Sequence, residues 1–200
     1  MRLIIWWDVR FDYTRYERDK QFVICMPSAF HEFVAAGINT DITDWFKDVR
    51  EGRLYSDKRT IAIVKQMSAN LATTVKFSKG NDGDKKDPDL SFEIDHPSCE
   101  FPGLVVEVAW SQRKLDLPKL AKRYIEATNG NIRTVVGLNL NDIYRSRRDE
   151  GAGPGFATFS VWQAELDSIS GKAREIKAVE DKVRLPIGIT NSVLQIVLIG

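Results

Sequence analysis

Two acids, Asp89 and Glu107, are the residues whose types and setting could carry chemistry. Glu107 is the one acid in Gly103 to Trp110, GLVVEVAW, a run of apolar and small residues. Such a run, bounded by turn signals, reads as a strand covered on both faces. An ionised carboxylate is costly there unless something pairs with it. A metal ion or a lysine would serve.

Asp89 opens the preceding strand, DLSFEID. Side chains alternate along a strand, so Leu90, Phe92 and Ile94 share one face and Asp89, Ser91, Glu93 and Asp95 the other. The next segment, HPSCEFP, carries two prolines and cannot continue the ladder, which makes it the loop of a hairpin. With Asp89 opposite Ala109, Glu107 falls opposite Ser91, and the acids become diagonal neighbours on one face. A slip of one residue would divide them between the faces.

The elements around this hairpin must hold the acids in place. Asp116 can cap a helix whose first turn admits Pro118. Leu117, Leu120, Ala121, Tyr124 and Ile125 then follow at helical spacing, and Asn129-Gly130 supplies the left-handed exit. Lys119, Lys122, Arg123 and Glu126 occupy the rest of the circumference. Asn131 to Leu140, NIRTVVGLNL, returns as a strand, completing a right-handed crossover with a parallel pair. Trp110 and Tyr124 read as core aromatics.

This arrangement resembles the PD-(D/E)XK, or restriction-endonuclease-like, nuclease superfamily. The wording that carries the likeness is PDLSF, then PGLVVEVAWSQ, then DLPKLAKRYI with NGNIRTVVGLNL, and it is similar to a fungal group assigned to that superfamily. It spans about half of the chain, from Asp87 to Leu166. The resemblance implies a central mixed sheet, built on the hairpin and the crossover and flanked by helices. It also implies hydrolysis of nucleic-acid phosphodiester bonds with Mg²⁺ or Mn²⁺. Carried over by position, Asp89 and Glu107 would be the metal carboxylates and Val108 the carbonyl donor. The pattern's lysine falls at Ala109, where this chain departs from it. Lys119 and Lys122 on the following helix are the substitutes, Lys114 a lesser one, and Gln112 a neutral donor. Members of the superfamily often add an acid from an N-terminal helix, which draws attention to His31 and Glu32.

Composition bounds the rest. A chain of 200 residues with 43% hydrophobic content suits a single α/β domain over 1–200. Within it we expect an N-terminal helical part over 28–69, a nuclease-like core over 71–166 and C-terminal strands over 172–199. The net charge of +1 gives no general nucleic-acid signal, so any such contact needs a local patch. Arg145, Arg147 and Arg148, in a charged and Gly-rich loop over 141–155, form the densest basic cluster; they could grip a phosphate backbone or simply be solvated. Cys25 and Cys99 are too few for a disulfide framework, His31 and His96 lack zinc-site spacing, and no apolar run reaches membrane length. An intracellular place, cytoplasmic or nuclear, follows. The expected partner is nucleic acid, DNA or RNA undetermined; no membrane is expected, and a homodimer is allowed.

Along the chain, residues 1–26 read as a hairpin around a polar centre with Tyr13, Arg15, Tyr16, Arg18 and Lys20. Ser28 caps a short helix stopped at Gly37, with His31 and Glu32 solvated on it, and a second helix runs from Thr40 or Asp41 to Gly52. Ser56 starts a third helical stretch in which the cluster IAIV leaves a strand open. Leu71 to Phe77, Phe156 to Leu166, Arg174 to Pro186 and Asn191 to Ile199 read as strands. A second functional reading stands beside the first. With Ala109 in the lysine's place, the same scaffold would serve as a catalytically degenerate module that binds nucleic acid or protein.

Overall fold

The computed structural model of the protein describes residues 10–12, 23–25, 28–54, 57–70, 73–77, 85–110, 115–149 and 155–184. Its elements run β1 (Arg10–Asp12), β2 (Val23–Cys25), α1 (Ala29–Arg50), α2 (Lys58–Gln66), β3 (Met67–Asn70), β4 (Val75–Lys76), β5 (Lys85–Lys86), β6 (Leu90–Ile94), β7 (Leu104–Ala109), α3 (Leu117–Ala127), β8 (Thr134–Asn139), α4 (Asn141–Arg148), β9 (Phe156–Leu166) and β10 (Ala173–Arg184).

A six-stranded sheet in the order β10-β9-β8-β7-β6-β3 carries the fold. β7 and β8 are its parallel pair, joined through α3, and every other neighbour is antiparallel. The protein is therefore an α/β structure with a mixed central sheet, and the expected hairpin and crossover are both present. β1 with β2, and β4 with β5, form separate antiparallel ribbons.

Both faces of the sheet are covered. On one side Ala35, Ile38, Ile42, Phe46 and Val49 of α1 meet Phe92, Val106 and Val108, joined by Ile143 of α4 and Phe159 of β9. Phe46 and Phe92 meet edge to face at 5.6 Å, a contact that adds about 1 kcal/mol to the burial of two rings. On the other side the α3 stripe, Leu117, Leu120, Ala121, Tyr124 and Ile125, packs on Val105, Ala109, Val135 and Trp162. Alternation along β7 feeds both cores, which is why GLVVEVAW shows no polar face.

The helix caps are those the sequence signals. Ser28 accepts from the His31 N–H, and Asp116 from the Lys119 N–H. α3 ends through Asn129 and Gly130, both at positive φ. β9 spans the expected residues and β10 runs to Arg184.

Four expectations are corrected. The N-terminal helical part is not split at Gly37: α1 is one helix of 22 residues. Its buried positions, His31, Ala35, Ile38, Ile42, Phe46 and Val49, keep one phase through Gly37. An interior glycine costs only about 1 kcal/mol against alanine, less than the packing of that stripe. The third helix is α2, capped by Asp57. The strand that follows it is β3, and of the described residues 73–77 only Val75–Lys76 is in a ladder. The supposed loop over 141–155 contains α4, whose Ile143 is buried against the core. The hairpin register also differs: Leu90 pairs with Val106, Ser91 with Val105 and Phe92 with Leu104. This is two residues from the expected register; Asp89 lies just outside the ladder, where its Oδ2 meets His31 of α1, while Glu107 Oε1 meets Tyr124 of α3. The expected strand over 191–199 and the polar centre with Tyr13, Arg15, Tyr16, Arg18 and Lys20 lie outside the described residues. Among the described residues no helix is long and apolar enough to cross a membrane.

Candidate functional site

The site is the corner where β6 begins and β7 nears its end. The β6–β7 ladder ends at the pair Leu90 and Val106, so Asp89 and Glu107 are the residues next beyond it on its two sides. Beyond that end the Val108 N–H donates to Asp89 Oδ2 at 2.7 Å. The first acid is thereby fastened to the main chain beside the second.

Glu107 lies on the α3 side of β7 and is 3% exposed. Its Oε1 accepts from the Tyr124 hydroxyl at 2.6 Å. Tyr124 belongs to the buried stripe of α3, so the amphipathic pattern that docks the helix also delivers the hydroxyl. A buried tyrosine usually finds a partner for its O–H, and here the partner is the buried acid. The aromatic assigned to the core is a core residue and a polar contact at once.

His31 joins from the opposite layer. It is 5% exposed, not solvated on the helix surface as its polarity suggested. Nε2 lies 3.2 Å from Asp89 Oδ2, and Nδ1 lies 3.2 Å from Glu32 Oε1. With a carboxylate oxygen against each ring nitrogen, the imidazole meets both as a donor only when it carries both protons. Burial works against that charged form, but the hydrogen bonds and charges of Asp89 and Glu32 outweigh it and raise the pKa of His31 above 6.5.

Lys119 and Lys122 are exposed on α3, and Lys122 pairs with Glu126 at 3.7 Å. Gln112, with Ser111 and Lys114, lies outside the described residues. Arg145 and Arg148 are exposed on α4, one helical turn apart; Arg148 pairs with Asp149 at 2.8 Å, a partner that holds its pKa above the ordinary guanidinium value. The side chain of Arg147 is outside the described set. Trp110 is buried, with its ring 4.1 Å from Phe30 and 5.3 Å from Tyr144 between centroids, and it joins β7 to α1 and α4.

Tyr124 escaped the sequence reading as a member of the corner, while His31, to which the resemblance drew attention, was otherwise read as solvated. His31 carried a signal, since it is in phase with Ala35, Ile38 and Ile42 once Gly37 is read through. Tyr124 stood on the stripe in plain view, and its hydroxyl was the unspent clue.

The donor set suits a hard divalent cation. The carboxylates of Asp89 and Glu107 and the Val108 carbonyl are oxygen donors, the kind such an ion takes. Among the described residues no group of three His, Cys, Asp or Glu side chains is placed to enclose a metal. A magnesium ion does not require such a cage, because it keeps several waters and takes one or two carboxylates together with substrate phosphate. No family model matches the chain, and no curated protein or solved structure does either.

Proposed function

We propose that the chain is a divalent-metal-dependent phosphodiesterase acting on nucleic acid, with a restriction-endonuclease-like core. The observation that carries this reading is the corner itself: Asp89 is bonded to the N–H of Val108, the residue next to Glu107 on β7. The hairpin and the parallel crossover support it, and Ala109, in the place of the pattern's lysine, counts against it.

In this reading Asp89, Glu107 and the Val108 carbonyl hold Mg²⁺ or Mn²⁺. When bound, the cation supplies an activated water and charge stabilisation at the phosphate. The chain supplies orientation. The Val108 N–H and His31 fix the Asp89 carboxylate from two directions, while burial under α3 keeps bulk water from Glu107. Lys119, Lys122 and Gln112 are the remaining candidates to steady the attacking water or the phosphate. Arg145, Arg147 and Arg148 would engage the nucleic-acid backbone.

Cleavage of single- and double-stranded DNA and RNA with Mg²⁺ or Mn²⁺ tests the proposal. Asp89→Asn and Glu107→Gln each reduce cleavage to the level of a metal-free control, while nucleic-acid binding persists. Equal activity in wild type and both variants, or none in any, sinks the enzyme. The second reading, a module that binds without cleaving, is favoured by one observation: Ala109, at the lysine's position, is fully buried in the core beneath α3.

A further inference from the structure

The nuclease reading treats Glu107 as a ligand but says nothing of what aims it. A glutamate has three side-chain torsions, and a mobile carboxylate makes a poor half of a two-carboxylate site. Tyr124 removes that freedom. The residue is fully buried. Its ring lies 5.6 Å from that of Phe77 between centroids, and Phe77 is in turn covered by the Arg123 guanidinium at 4.8 Å. With the ring held by these contacts, the phenol oxygen has a fixed address; the Thr128 hydroxyl, donating to the Tyr124 carbonyl at 2.7 Å, bonds the helix end rather than the ring. The separation of 2.6 Å from Glu107 Oε1 lies in the range of a charge-assisted O–H···O⁻ bond.

We propose that Tyr124 is the positioning residue of the corner: its hydroxyl sets the direction of the Glu107 carboxylate and thereby the affinity for a divalent cation. This rests on the metal-dependent reading above. The hydroxyl touches neither substrate nor scissile bond; it acts through Glu107. Hydrogen-bond partners behind a metal ligand fix its orientation, and removing one costs about 10- to 100-fold in metal affinity or activity.

The experiment is a Mn²⁺ titration, by calorimetry and by the rise in melting temperature over an EDTA control, on wild type, Tyr124→Phe and Thr128→Val. Wild type binds Mn²⁺, Tyr124→Phe binds about 10- to 100-fold more weakly, and Thr128→Val keeps the wild-type affinity. The last variant loses a buried bond to the same tyrosine without touching the phenol, so it separates loss of stability from loss of aim. An affinity for Tyr124→Phe equal to wild type overturns the positioning role and leaves the metal site standing. No Mn²⁺ binding by wild type overturns the metal-dependent reading and this inference with it. If Tyr124→Phe does not fold, 4-fluorophenylalanine at position 124 fills the place of the hydroxyl without donating; Mn²⁺ then binds about 10- to 100-fold more weakly than to wild type, and wild-type affinity overturns the proposal.

Discussion

His31 sits in the α1 layer with a carboxylate oxygen at each ring nitrogen, and this makes the contact sensitive to pH. Burial favours the neutral ring, yet Asp89 and Glu32 together raise its pKa above the ordinary 6.5. The folded state therefore holds the proton more tightly than the unfolded chain does, and stability depends on pH accordingly. The contribution is complete below about pH 6.5 and is lost as the pH climbs through the raised value. Urea unfolding in EDTA tests this directly. Wild type loses stability over that window, and His31→Gln gives a flatter profile. At pH 6 the substitution costs about 1.5–3 kcal/mol, the scale of a hydrogen bond to a charged group, and at pH 9 less. A pH-independent difference between the two would show that the imidazole is not charged in the fold. The chemistry of this contact was beyond the sequence, because nothing in local spacing brings α1 to the start of β6. Glu107 was the legible half: a lone acid among valines announces a partner without naming it.

The elements near the site follow from periodicity where periodicity is strong. Every residue of the α3 stripe expected from spacing is buried, and β6, β7, β8 and β9 lie where alternation or unbroken apolar runs put them. Elements without such a pattern were misread. α4 is rich in Asn, Asp, Arg and Ser, has no side-chain cap, and is anchored by Ile143 and Tyr144, so its composition reads as loop. The hairpin register was open because a proline-rich loop does not dictate pairing; the ladder that forms keeps the alternation and moves by two. One glycine in this region has a task that only close packing reveals. Gly137 pairs with Glu107 across the parallel ladder, and a Cβ there would come within 2.7 Å of the Trp162 ring and 3.2 Å of Leu117. Its missing side chain is what lets α3 settle low enough for Tyr124 to reach Glu107. Gly137→Ala should cost about 1–3 kcal/mol in urea unfolding, the usual penalty of overpacking. A neutral result would mean that Trp162 turns aside freely and that the fit of α3 to the sheet is looser than the distances imply.

At the scale of the whole molecule, charge sets a limit on how nucleic acid could be held. The net charge is +1, so no long-range field draws a polyanion to the surface. Attraction has to be local, and α4 offers the basic residues: Arg145 and Arg148, exposed and one helical turn apart, with Arg147 between them in sequence. Arg148 is already paired with Asp149 and stacked over Tyr144 at 5.8 Å, so it gains less from a phosphate than an unpaired guanidinium would. Each phosphate neutralised on duplex DNA lowers the slope of log Kobs against log salt by about 0.9. Two working arginines would therefore give a slope of about −2, shallow beside that of proteins with an extended basic face. Arg145→Ala with Arg148→Ala should flatten the slope toward zero and weaken binding to different sequences alike, while leaving the fold and the pH dependence of His31 unchanged. A steep slope in wild type would mean that the nucleic acid is held elsewhere. A slope unmoved by the double substitution would remove α4 from the interface and leave the acidic corner without its proposed grip on the backbone.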